Sequence, residues 1–532
     1  MKEQSTSRGF AYLSIAEVLV KVMSVIYVPL LVRILGDVGH GVYVISYDAF
    51  TFIYVLTNEG IQRGIAKLIS ELTARGNHRD ALRAFRIARS LLILGGLIAS
   101  LLLFFMAPYI ADAAVSPQAT LAIRALAPTV LITAVLSAYR GYFLGRSFIT
   151  SNAISKIIEQ LVNVAVSLTA AYFLMRVDLA YGVAGGTLGT SVGALVAAVL
   201  LAREFYKARL HKVKRAMQNP DEPYHTNRQL LRKLFDYGIP ITMGAGIQNL
   251  GGFIDMFIVN NSLALAGLNF TLAKTAFSQL SRYKTLIYTP NTIIIALTSV
   301  LLPGISRSQA IGDHEGVLTK IRFAVKVVFM VGLPSAVGLT VLADPVYNLL
   351  YPGREGSYLL KYGAFVIVFM GFVQVQNVIY QSFGRFYWGI ATLSLGILGR
   401  LATNAYFVRI PEVNIMGAII ATFTNFMIPF FLNHFILTRV MKVRMEMMKE
   451  VVKPLGASLV MGGVLFVTNF LMDMMGLRYA FSSILTLANV ALGGGVYVVT
   501  LMLIGGLRKA DIEEISPRLL KKVPRVIRDR MS

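Results

Sequence analysis

The 532-residue sequence contains no cysteine. Disulfides, thiolate catalysis and zinc–thiolate sites are therefore excluded. Six histidines are scattered without an HExxH-like spacing, so no metal-ligand pattern is present. Charge is scarce: charged residues make up 15% of the chain against 56% hydrophobic residues, with a mean hydropathy of +0.65. Acidic residues are scarcer still, 27 Asp and Glu against 51 Lys and Arg, for a formal net charge of +24. Such an excess can serve nucleic acid. Here the basic residues collect in short segments between apolar runs, so membrane topology accounts for them and no nucleic-acid partner is expected. A GxxxxGK[ST] phosphate loop is absent, which excludes an ATP-driven pump acting alone, and so is a TVGYG-like filter. No acid pair lies near serine or histidine in a soluble segment large enough for an active site. The expectation is a polytopic membrane protein that is not an enzyme, with no catalytic residue, no metal and no cofactor.

Long apolar runs are abundant. A membrane-spanning helix needs roughly 20 apolar residues. Fourteen segments qualify: 10–35, 42–70, 88–112, 119–145, 150–175, 180–204, 233–259, 275–303, 320–343, 359–384, 387–408, 414–437, 454–473 and 480–506. Pro29, Pro128, Pro240, Pro303, Pro334 and Pro429 are expected to close or bend several of them. The first run is too long for a signal-peptide core and is expected to remain as a helix. Lys and Arg crowd segments 72–89, 203–233 and 438–453 and the tail after Gly506, whereas 36–41, 112–118 and 260–273 contain none. The positive-inside rule then places both termini in the cytoplasm, as an even number of spans requires. The tail, with Ile515, Leu519, Leu520, Val523 and Ile527, is either a solvated charge run or an amphipathic helix on the inner leaflet.

An internal repeat divides the chain. ARGNHRDALRAFRIARSLLILG begins at Ala74, and AIGDHEGVLTKIRFAVKVVFMVG begins 236 residues later at Ala310. YGVAGGTLGTSVGALV from Tyr181 pairs in the same order with VNIMGAIIATFTNFMI from Val413. The expected organisation is an N-terminal six-helix lobe at 1–205 and a basic cytoplasmic linker at 206–232. A second six-helix lobe follows at 233–440, then two additional helices at 441–506 and a basic cytoplasmic tail at 507–532. Parallel repeats of this kind leave a substrate path between the halves.

Several apolar runs carry charge near their middles, where it costs several kcal/mol and usually faces protein or water. Glu17 and Lys21 lie four residues apart on the first helix. Glu59, Arg63 and Lys67 stack on one side of the second. Arg140 lies toward the inner end of the fourth. Lys156, Gln160 and Asn163 share a face of the fifth, with Glu159 beside it. Asp255 falls late in the seventh, and Arg282 and Lys284 in the eighth. One reading is a water-filled cavity with a positive wall suited to an anionic head group: Lys21, Arg63, Lys67, Arg140, Lys156, Arg282 and Lys284 bind substrate. Glu17, Glu59, Glu159 and Asp255 are then cavity acids or ion-coupling groups. The other reading pairs Glu17 with Lys21 and Glu59 with Arg63 internally, and lets Lys67 and Arg140 reach the cytoplasmic surface.

GIQRGIAKLISELTARGNHRDALRAFRIA from Gly60 resembles the second helix and following loop of the SpoVB/YtgP proteins, which belong with the MurJ lipid II flippases in the MOP exporter superfamily. YRGYFLGRSFITSNAISKIIEQLVNV from Tyr139 resembles that family's most distinctive stretch. FSQLSRYKTLIYTPNTIIIALTSVLLPGISRS from Phe277 is similar to its eighth helix. The resemblance implies an all-α protein of fourteen transmembrane helices, with two six-helix lobes in a MATE/MurJ-like V shape and two C-terminal helices. It also implies alternating access in a bacterial cytoplasmic membrane, and an undecaprenyl-diphosphate-linked glycan, lipid II or a close relative, as the cargo. Membrane lipids and other cell-wall synthesis proteins are the implied partners. Lys21 and Lys284 match basic cavity positions of the family and Arg63 lies near another, while Val28 stands where a second arginine is common. A capsule or teichuronic-type oligosaccharide flippase, a cation-coupled MATE-type antiporter and a non-transporting scaffold of a wall-synthesis complex are the alternatives.

Overall fold

The computed structural model describes residues 6–212, 218–219, 222–443, 445–474 and 482–506. The tail at 507–532 and the middle of the basic linker, both given roles above, lie outside the described residues. Among those residues every regular element is helical, and none is a strand.

The first apolar run and the start of the second form one long element, α1 (Thr6–Tyr54), broken at Gly36, whose φ of 67° is accessible chiefly to glycine. A π-helical turn (Val55–Glu59) leads into α2 (Gly60–Ala74). Then come α3 (His78–Ala113), α4 (Ala119–Gly145), α5 (Ile149–Leu174), α6 (Leu179–Lys207), α7 (Asn227–Leu265) and α8 (Phe270–Ala310). The chain continues through α9 (His314–Val341), α10 (Ala343–Leu350), α11 (Ser357–Gly363), α12 (Val366–Ser382) and α13 (Phe386–Phe407). The last elements are α14 (Met416–Phe435), a second π turn (Ile436–Val440), α15 (Met447–Met474) and α16 (Ser482–Leu503). Pro29, Pro128, Pro240, Pro334 and Pro429 all lie inside helices, so none of them closes its run. Neighbouring helices in a bundle re-satisfy the backbone groups a proline frees.

Among the described residues, nine helical stretches are long and apolar enough to cross a membrane, and ten if α11 and α12, bent by 54°, count as one span. α3 shows why its run is so apolar: Leu94, Ile98, Leu102 and Phe105 stay 51–66% exposed along it. Water would not tolerate that surface on a stable monomer, and acyl chains do.

The described chain divides into two compact units, Met1–Ser278 and Gln279–Ser532, with the boundary inside α8. In the first, Phe85 of α3 packs on Tyr142 (4.8 Å between ring centroids) and Phe205 (5.1 Å), in a core shared by α2, α3, α4 and α6. In the second, Phe329 of α9 packs on Phe372 of α12 (5.0 Å), which meets Phe430 of α14 (5.4 Å). The repeated polar turns have matching geometry. Gly76 and Gly312 both have positive φ (78° and 73°), and the next residues, Asn77 and Asp313, cap α3 and α9 by accepting from Asp80 N–H and Gly316 N–H.

Lipid is as apolar as a leucine side chain, so helices within a membrane are held by close packing and hydrogen bonds. Gly185, Gly189 and Gly193 of α6 recur every four residues and bring its backbone against α5: a Cβ on Gly189 would lie 2.2 Å from the Asn163 carbonyl oxygen, and one on Gly193 2.5 Å from that of Glu159. α13 and α14 meet in the same way, with Gly396 facing the Asn425 carbonyl. At the basic end of the first unit, buried Asp80 accepts from His225 N–H (2.8 Å) and Arg83 (2.9 Å), fastening the end of the linker to α3.

Candidate functional site

In the first unit, α1 runs beside α5, and two polar contacts cross between them. Lys156 donates to Glu17 at 2.7 Å, and Gln160 Nε2 to Ser24 Oγ at 3.4 Å. Lys21 stands between these two contacts on α1. It is half-buried, and among the described residues it has no ion pair, hydrogen bond or ring contact. The local pairing of Glu17 with Lys21 is therefore not what forms: Glu17 takes its cation from α5.

One turn further along α5, Glu159 accepts from Arg140 of α4 at 2.5 Å. Arg140 is buried, and its Nε donates to Ser155 Oγ at 3.2 Å. Arg140 does not reach a surface; it is consumed by α5. The π turn sets the next charged pair. It buries Asn58, whose amide donates to Thr133 Oγ1 of α4 at 3.0 Å, and Glu59 follows, ion-paired with Arg63. π turns recur where a helix must redirect side chains. Lys67 lies over the Tyr237 ring of α7, 4.1 Å from its centroid. Beside it, Tyr237 donates to Glu71 at 2.7 Å, and Gly64 of α2 sits against Gly238 of α7. Lys67 thus belongs to the α2–α7 seam. Asp255 is 1% exposed on α7 and engaged with the protein.

In the second unit Arg282 has no exposed surface. It lies over the Tyr351 ring at 4.9 Å, next to Tyr283, which donates to the Gly363 carbonyl at 3.0 Å. In this conformation it presents nothing to a ligand. Lys284, two residues on, is half-buried and also engaged.

The three acids of the first-unit group, Glu17, Glu59 and Glu159, are each matched by one cation; of the two cations left over, Lys67 is taken up by the Tyr237 ring and Lys21 is not. Such a wall can hold one anionic oxygen group and orient it by the hydrogen-bonding side chains around it. Among the described residues, no group of three or more His, Asp or Glu is placed to hold a metal ion.

Sequence reasoning missed Lys274. It is 1% exposed at the start of α8, and its ammonium donates to Asn260 Oδ1 (2.7 Å) and to the Ala114 carbonyl (3.2 Å). Beside it, His40 Nδ1 and Ser278 Oγ are 2.8 Å apart. A lysine flanked by Ala273 and Thr275 at the head of an apolar helix was the available signal; the span drawn from 275 stopped one residue short of it.

The model of the family described as polysaccharide biosynthesis protein matches residues 6–309, more than half the chain. The chain belongs to that family. It is 24% identical over 521 residues to stage V sporulation protein B of Bacillus subtilis (strain 168), covering 97% of this chain and 98% of that one. It is 22% identical to the lipid II flippase MurJ of the same organism, over 78% and 79% of the two chains. Its fold is that of a solved lipid II flippase MurJ in an inward closed conformation, at TM-score 0.68, 15% identity and 92% and 97% coverage. An inward-facing MATE family transporter of the MOP superfamily matches at TM-score 0.65, with 16% identity and 82% and 99% coverage. The chain is thus a multi-pass membrane protein of this family, similar to SpoVB and MurJ over most of its length, with a fold shared by a MOP superfamily transporter.

Proposed function

We propose that this protein is a flippase that carries a polyprenyl-diphosphate-linked glycan precursor, lipid II or a close relative, from the inner to the outer leaflet by alternating access. The observation that carries the reading is Lys21: a half-buried cation on α1, flanked by neutralised acid–base pairs and itself uncompensated. A diphosphate is the part of such a substrate that a lone ammonium recognises. The relatives named for sporulation and for lipid II transport support the same class of cargo. In this reading 1–205 and 233–440 are the two lobes, with 441–506 appended. Both termini are cytoplasmic, and the α2–α7 seam at Lys67 and Tyr237 parts and rejoins in each cycle.

A cation-coupled antiporter needs an acid able to take up and release its ion. Glu17, Glu59 and Glu159 are each held by a basic partner, which favours the flippase. Lys21→Ala combined with Lys284→Ala tests the proposal in cells lacking their own lipid II flippase, by the appearance of lipid II at the outer surface. Export is expected to fall at least about tenfold, the scale of one lost charge-assisted contact in a membrane cavity. Unchanged export rejects the charge clamp and favours a scaffold. Native mass spectrometry of the lipid that co-purifies distinguishes lipid II from a capsule or teichuronic-type oligosaccharide lipid.

A further inference from the structure

A basic cavity lies within the second unit, at the basic end of α9, α15 and α16. It has a volume of about 250 Å³, and its walls carry Arg322 and Lys326 of α9 with Lys449 and Lys453 of α15. Among the described residues, Glu446 and Glu450 oppose these four cations. The floor is the turn at Gly505 and Gly506, where Lys453 donates to the Gly505 carbonyl at 2.8 Å and ties α15 to the end of α16. Glu446 accepts from Arg322 (3.2 Å) and Lys449 (3.1 Å), and hydrogen bonding by Lys449, with the charges of both cations, holds its carboxyl below the usual range. Beyond the Arg322–Glu446 pair is a smaller cavity of about 150 Å³, to which Lys442 adds another cation.

We infer that this cavity is a binding site for the phosphate headgroup of an anionic membrane lipid, separate from the Lys21 wall. The charge on the walls and the volume suit a phosphate group with its bridging oxygens. The surroundings favour a lipid over a free anion. Leu455 and Leu459 (37% and 62% exposed) lead away along α15, and Leu503 and Ile504 (67% and 41%) flank the floor at the end of α16. Cations therefore meet bare apolar surface at one place, the arrangement of a headgroup with acyl chains beside it. Basic pockets between membrane helices bind anionic headgroups in this way. The inference does not depend on the transported cargo.

The test is native mass spectrometry of the full-length protein in detergent, with phosphatidylglycerol and phosphatidylcholine supplied in equal amounts. The wild type is expected to retain phosphatidylglycerol roughly tenfold over phosphatidylcholine, and Arg322→Gln with Lys449→Gln to abolish that preference, because each cation near an anionic lipid contributes substantially. Arg176→Gln, which removes a cation elsewhere, is expected to change nothing. Glu446→Gln works in the opposite direction: it frees two cations and is expected to raise retention. Equal retention of the two lipids, a preference that survives the double replacement, or a fall in Glu446→Gln each overturns the site. Inorganic phosphate in excess is expected to leave the lipid bound; complete displacement by it assigns the cavity to a free anion and overturns the lipid.

Discussion

Lys21, Arg140 and Glu159 show two ways in which this chain keeps charge inside apolar helices. Arg140 is enclosed and neutralised: Glu159 takes its guanidinium and Ser155 takes Nε. Lys21 is left without a counter-charge. The positions of these charges could be read from the sequence, because an ionic side chain in a membrane-length run stands out. Their partners could not. A local Glu–Lys pair four residues apart is worth only about 0.2–0.5 kcal/mol, so packing α1 on α5 was enough to hand Glu17 to Lys156. For the Arg140–Glu159 pair, Glu159→Gln is expected to cost about 2–3 kcal/mol, below the full value for an enclosed pair because Glu159 is partly exposed. Replacing both partners, Arg140→Met with Glu159→Leu, is expected to recover most of that loss. The denaturation midpoint in detergent, taken around the double-mutant cycle, gives the coupling. A double variant as unstable as the single one would mean that Arg140 is held by something other than Glu159.

At the scale of elements, the seam between α5 and α6 places the site. Its glycines face the backbone carbonyls of Asn163 and Glu159, on the helix that carries Lys156, Glu159 and Gln160. The stretch YGVAGGTLGTSVGALV was legible as part of a repeat, but its role as a contact surface was not, since glycine spacing does not say which helix will lie across it. Helix propensity alone predicts that Gly→Ala stabilises by about 1 kcal/mol. Gly95 of α3 has nothing within 4 Å of an added Cβ, so Gly95→Ala is expected to be neutral or stabilising by up to about that amount. Gly189→Ala is expected to reverse the sign, because its Cβ would lie 2.2 Å from a backbone oxygen that cannot swing aside. A loss of roughly 2 kcal/mol or more is anticipated, in the range of overpacked cores. Thermal melting of the two variants in one detergent decides it; equal melting points would mean that α5 and α6 can move apart freely.

On the scale of the whole molecule, alternation of basic and neutral connections is a property of the entire chain. Each of the fourteen apolar segments is helical over most of its length, and the strongest of them meet a strict test of length and apolarity. α7 and α13 fall short of that test because they carry polar groups that the protein buries, among them Asp255 and Arg400. The protein itself solvates those side chains, so hydropathy understates the membrane depth of the helices that carry them. Orientation then rests on the loops, and the absence of native cysteine makes it directly measurable. Leu265, 76% exposed at the end of α7, borders a connection with no Lys or Arg, whereas Ala74 and Met448 lie in basic ones. The positive-inside rule places the first outside and the other two within the cytoplasm. Leu265→Cys is expected to react with a membrane-impermeant maleimide in intact cells, and Ala74→Cys and Met448→Cys only after permeabilisation. Reaction of either cytoplasmic position in intact cells, with Leu265→Cys silent, would invert the protein.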